Sequence, residues 1–95
     1  MKEYSRVVDY IIKNAVGRNN AIIGRIIGDR FGISGIKVRA SVNEARCDGI
    51  PICSCRNGYY YSIEKSDVAD TICHLKGRIS KIESAIDGLN GIMSA

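Results

Sequence analysis

Residues 32–63 read GISGIKVRASVNEARCDGIPICSCRNGYYYSI, and the order of turn signals along this stretch decides the fold. Gly32 suits the left-handed residue that closes a helix, and Ser34 suits the N-cap that opens the next one. Only Ile33 lies between them, and its apolar side chain can plug the corner. The helix opened by Ser34 is expected over residues 35–48. Val38, Val42 and Ala45 recur at i, i+4 and i+7 and form its inward face. Lys37, Ala40, Asn43, Glu44 and Cys47 point broadly away from that face, with Arg39 and Arg46 on its flank. Gly49 ends the helix, and Pro51, which has no amide hydrogen, prevents it from resuming. Asn57-Gly58 between two runs of strand formers predicts a hairpin whose two turn residues take positive φ. Alternate strand residues face opposite ways, so either Tyr60 or the Tyr59/Tyr61 pair belongs to the core.

Upstream, Tyr4, Val7, Val8, Ile11 and Ile12 fall at helical spacing, with Glu3, Arg6, Asp9 and Lys13 between them. Asn14 and the cluster Gly17-Arg18-Asn19-Asn20 end this first helix, and Ala21-Ile22 reads as one short extended pairing segment. A second helix is expected over residues 24–31, with Ile26, Ile27 and Phe31 as its apolar stripe. Gly24 and Gly28 weaken it by up to ~1 kcal/mol each relative to alanine, so it needs tertiary support. A helix, a tight glycine turn and a capped helix make a helix-turn-helix. Three helices followed by a hairpin make it a winged one. The expected fold class is α+β, mostly α: a winged helix-turn-helix over residues 1–64, then a long helix over residues 65–95.

In that last segment Ser66 suits an N-cap, and Asp67 complements the helix dipole in the first turn. Val68, Ile72, Leu75, Ile79, Ile82, Ile86, Leu89 and Met93 are spaced 4, 3, 4, 3, 4, 3, 4, a sustained heptad seam. The expected homodimer forms through Ile72, Leu75, Ile79, Ile82, Ile86 and Leu89. Isoleucine at a and leucine at d favour a parallel two-stranded coil, in which Arg78 at g lies near Glu83 at e of the partner. The seam itself leaves the direction of pairing open. Gly77, Gly88 and Gly91 argue for fraying past residue 87. They also favour a rival arrangement in which the helix folds back on its own domain.

The net charge of +4 favours an anionic partner. The expected function is sequence-specific binding of double-stranded DNA, with the third helix in the major groove. Ser34, Lys37, Arg39, Asn43 and Arg46 supply base-edge and phosphate contacts, and Arg56 reaches the backbone from the hairpin tip. Glu44 on the same surface opposes tight nonspecific binding. The alternative is a protein–protein interaction module that recruits another protein through the same fold and helix. No phosphate-cradling G-x(4)-G-K-[ST] run, no H-E-x-x-H and no dinucleotide fingerprint is present, so an enzyme is not expected. Cys47, Cys53, Cys55 and Cys73 lack the spacing of a zinc knuckle. No metal or cofactor is expected, and the cysteines read as reduced thiols. Charges run through the N-terminal MKEYSRVVDY, against a secretory signal, and no run of apolar residues reaches membrane-spanning length. The expected setting is therefore the cytoplasm, away from membranes.

Several runs share a pattern: Ile33-Ser34-Gly35, Val38-Arg39 with Val42-Asn43, Gly49-Ile50-Pro51-Ile52-Cys53-Ser54, Asn57-Gly58-Tyr59-Tyr60-Tyr61, and Leu75-Lys76-Gly77-Arg78-Ile79 with Ile82 and Ala85. Together they resemble the small winged helix-turn-helix proteins of phages and prophages. The resemblance covers nearly the whole chain and implies DNA binding in phage transcription or replication; for the alternative module it implies a phage or host protein as the partner. The sequence departs from the pattern at Ala45, where a leucine is usual, and at Ile23, where a polar cap is usual. Ala45 implies a thinner core, or one filled by Phe31 or a tyrosine.

Overall fold

The computed structural model describes residues 4–94; the outer limits of the two segments expected from the sequence, residues 1 and 95, lie outside them, as does Glu3. The chain is mostly helical, with one two-stranded antiparallel sheet. Helix α1 spans Ser5–Asn14, α2 Gly24–Phe31 and α3 Gly35–Cys47. Strands β1 (Ile52–Cys55) and β2 (Gly58–Tyr61) follow, and α4 (Lys65–Ser94) closes the order.

The turn between α2 and α3 is built as its residues dictate. Gly32 closes α2 in the left-handed conformation at φ 65°. The Ser34 hydroxyl oxygen accepts the Lys37 amide at 3.2 Å, which satisfies one of the unpaired donors at the start of α3. Val38, Val42 and Ala45 of α3 are buried, as their spacing requires. They meet Val7, Val8 and Ile11 of α1, Ile27 of α2, and Ile52, Cys53 and Tyr60 of the hairpin in one core. The strand alternation resolves in favour of Tyr60, which is fully buried, while Tyr59 and Tyr61 are partly exposed. The Tyr4 hydroxyl donates to Asp48 at 2.6 Å and ties the start of α1 to the end of α3. In α2, Ile26 stays half exposed, so the buried side of that helix is narrower than its apolar stripe.

The extended pairing segment lies where Ala21-Ile22 placed it. Ile22 and Tyr59 exchange both backbone hydrogen bonds at 2.9 Å, adding a third edge to the hairpin. That edge corrects the reading of Asn57-Gly58. Cys55 pairs with Gly58, so the turn residues are Arg56 and Asn57, and among the described residues no non-glycine takes positive φ. A turn of this kind favours glycine at its closing position. Gly58 itself sits at φ 123°, and a Cβ there would collide with the Ile22 carbonyl. Glycine is required because the Ile22 backbone runs against it, as much as by the turn.

Helix α4 begins at Lys65, one residue before the expected cap. Glu64, not Ser66, stands at the N-cap position, its carbonyl accepting the Val68 amide at 3.1 Å, and Ser62 braces this entry to the helix. Its hydroxyl accepts the Glu64 amide at 3.1 Å and donates to Asp67 at 2.8 Å. The first turns of α4 dock on β1 through Thr71, whose hydroxyl accepts the Ser54 amide at 3.3 Å and donates to the Asp67 carbonyl at 3.0 Å. Arg18 adds ion pairs to Asp67 and Asp70 at 3.4 and 3.0 Å. Beyond Leu75 the helix leaves the body. It runs unbroken through Gly77, Gly88 and Gly91 to Ser94, and its apolar seam is not folded back: Ile79, Ile82, Ile86 and Leu89 are more than half exposed. The Cα radius of gyration is 15.5 Å, against about 12 Å for a compact chain of this length. The projecting helix accounts for the difference. Among the described residues no helix is long and apolar enough to cross a membrane.

Candidate nucleic-acid interface

The start of α3, the exposed side of α2, the hairpin and α4 enclose an open cleft of about 620 Å³. Arg25 and Asp29 enter it from α2, one turn apart. Ser34 and Arg39 come from α3 and its cap, and Arg56 from the hairpin turn. His74 and Arg78 reach it from α4, because Thr71 holds that helix against β1. The Tyr59 ring forms part of the wall and lies against Gly24.

The cleft holds five of the chain's eight arginines and a single carboxylate, Asp29. The other three arginines are used within the fold. The Arg6 guanidinium lies 5.6 Å from the centroid of the Phe31 ring, that of Arg30 lies 4.7 Å from the centroid of Tyr10, and Arg18 pairs with α4. In the cleft, Arg25, Arg39, Arg56 and Arg78 make no side-chain hydrogen bond or ion pair among the described residues. Four like charges around one concavity reinforce one another's field, and the protein supplies almost nothing to offset it.

Arg46 is the exception within the cleft. Its Nε donates to the Ile52 carbonyl at 2.6 Å and its guanidinium to the Ser54 hydroxyl at 3.2 Å. Burial pulls its pKa down from the ordinary arginine range. It braces α3 against β1, so two of its donors are committed within the fold.

Of the residues singled out from the sequence, Ser34, Arg39, Arg46 and Arg56 line the cleft, whereas Lys37 and Asn43 lie on the exposed surface of α3 outside it. Arg25, His74 and Arg78 were not foreseen. Arg25 sits on the polar side of α2, where a charge is the ordinary expectation. Arg78 belongs to a helix whose docking side no periodicity reveals.

Among the described residues no three histidine, cysteine, aspartate or glutamate side chains come together as metal ligands. Cys53 is buried, and burial pushes its thiol pKa up. Cys55 is partly exposed, and Cys47 and Cys73 are exposed. Compared with family models, with curated proteins and with solved structures, the chain shows no significant match. The resemblance to phage winged proteins rests on the quoted motifs alone.

Proposed function

We propose that this chain is a winged helix-turn-helix protein that binds double-stranded DNA, and that two copies pair through α4. The observation that carries the reading is the cleft in which Arg25, Arg39, Arg56 and Arg78 stand without protein partners. Duplex DNA presents one negative charge per ~1.7 Å of its axis, and arginine forks suit both phosphate and guanine edges. In this reading α3 enters the major groove, with Ser34 at its leading end and Lys37, Arg39 and Asn43 along it. Arg56 on the hairpin and Arg25 on α2 meet the flanking backbone. Arg46 acts chiefly as the brace that fixes the angle between α3 and the hairpin.

Pairing through α4 would give a two-fold protein and hence two-fold sites, with half-sites about one DNA turn, ~34 Å, apart. Selection of bound sequences from random duplex DNA, with wild type and with the Lys37→Ala/Arg39→Ala variant, tests the reading. A recurring inverted repeat recovered by wild type and lost or degraded by the variant is expected. Recovery of no duplex at low salt would overturn it and favour a protein-recruiting role.

A further inference from the structure

A second concavity, about 320 Å³, lies where α4 leaves the body. It is apolar: Ile50, Pro51 and Ile52 form one wall, and Val68, Ile72 and Leu75 form the other. Those last three are seam positions. The first half of the seam is therefore one side of a groove, whereas the second half stands bare in solvent. We propose that the groove receives the distal half of α4 from a second copy, running antiparallel. This rests on the reading that two chains pair through α4 and adds the direction and the seat.

Reversing one helix sets each a position against a d position. The seam then closes in four kinds of layer, with Val68, Ile72, Leu75 and Ile79 facing Met93, Leu89, Ile86 and Ile82 of the second copy. It also brings e flanks against e flanks and g flanks against g flanks. On the e flank, Lys76 meets Glu83 of the second copy, and symmetry makes the contact twice. On the g flank Arg78 faces Ala85 and Thr71 faces Ile92, so the outer half of that flank is apolar where coiled coils usually place charges. Ile92 is 74% exposed. In this register it arrives beside Thr71, the residue that docks α4 on the body, and so falls at the groove. A parallel pair would carry Ile92 to the far tip, in water, and would set two bodies side by side at the same end. The antiparallel arrangement seats a bare helix against each body instead.

The arrangement also sets a spacing. Thr71 of one chain lies level with Asn90 of the other, so the two docking points are about 28 Å apart along the pair at 1.5 Å per residue.

Charge reversal in the full chain, read by sedimentation equilibrium, tests the direction. Lys76→Glu and Glu83→Lys should each weaken the dimer, on the order of tenfold, and the double variant should restore it. In a parallel pair Glu83 faces Arg78 and Lys76 faces Thr71. Sensitivity to Glu83→Lys alone, with no rescue by Lys76→Glu, would overturn the proposal and leave pairing intact. A wild-type monomer at tens of micromolar would overturn both. Disulfide trapping supplies a second readout, with Cys47, Cys55 and Cys73 changed to serine. Mixed Leu75→Cys and Ile86→Cys chains should link unlike with unlike, and like-with-like links would contradict the direction. Ile50→Asp lies outside the seam, so a folded Ile50→Asp chain that dimerises as wild type does would remove the groove.

Discussion

The body of this protein and the outer half of α4 carry the same kind of apolar periodicity and meet opposite fates. In the body, Val7, Val8 and Ile11 of α1 and Val38, Val42 and Ala45 of α3 are all buried. Along α4 from Ile79 onward, residues as large or larger at equally regular spacing are more than half exposed. Helical periodicity shows that a face seeks cover; it does not say which surface provides it. What separates the two regions is connection. Short turns at Gly32 and Asn57 fold the body's faces onto one another, whereas nothing after Ser62 turns α4 back.

The contrast predicts its largest effect in truncation. Ile27→Ala empties a fully buried site and should cost about 2–5 kcal/mol in urea unfolding. Ile86→Ala, measured where the chain is monomeric, should change stability by less than about 0.5 kcal/mol, while weakening the dimer. Equal losses from the two changes would erase the distinction between body and arm.

Arg46 and Arg39 sharpen the comparison within one helix. Arg46→Ala strands the Ile52 carbonyl and the Ser54 hydroxyl, and should lower stability by about 1–3 kcal/mol. Arg39→Ala removes a side chain without a protein partner and should leave unfolding within about 0.5 kcal/mol, its effect falling on DNA. The smallest change is expected at Tyr60. Its hydroxyl is buried with no hydrogen bond of ordinary geometry; burial holds its pKa up, and the neighbouring Arg18 guanidinium offsets part of that rise. Tyr60→Phe therefore gives up only a weak polar contact to Arg18 and should shift unfolding by less than about 0.5 kcal/mol in the same assay.

The sequence made the body legible because its punctuation is local. The apolar spacing of Tyr4 to Ile12 and the Gly17-Arg18-Asn19-Asn20 cluster bound α1 and leave Ile22 extended, and Gly32, Ser34 and Pro51 bound α2 and α3, each acting within a few residues. Asn57-Gly58 signalled a hairpin correctly, but the turn residues are Arg56 and Asn57, and the need for glycine at 58 comes also from Ile22, more than thirty residues away. Ser66 has the chemistry of a cap, but the helix has already begun at Lys65, one residue before it. The cleft was only half legible. Arg39 and Arg56 stand out on a helix and a hairpin tip. Arg25, His74 and Arg78 join them only once Thr71 has docked α4 on β1, a contact between residues far apart in the chain.

The central claim is that the cleft, rather than the overall charge, binds duplex DNA. The salt dependence of binding by two variants that lose equal charge tests it directly. One replaces Arg39, Arg56 and Arg78 with alanine, and the other replaces Arg6, Lys13 and Arg30, which lie outside the cleft. If the cleft arginines meet phosphates, the first variant should bind more weakly, with the slope of log K against log salt reduced by up to about 0.9 per lost contact. The second should keep nearly the wild-type slope. Equal weakening of both variants, or no duplex binding by the wild type at 50 mM salt, would contradict the claim.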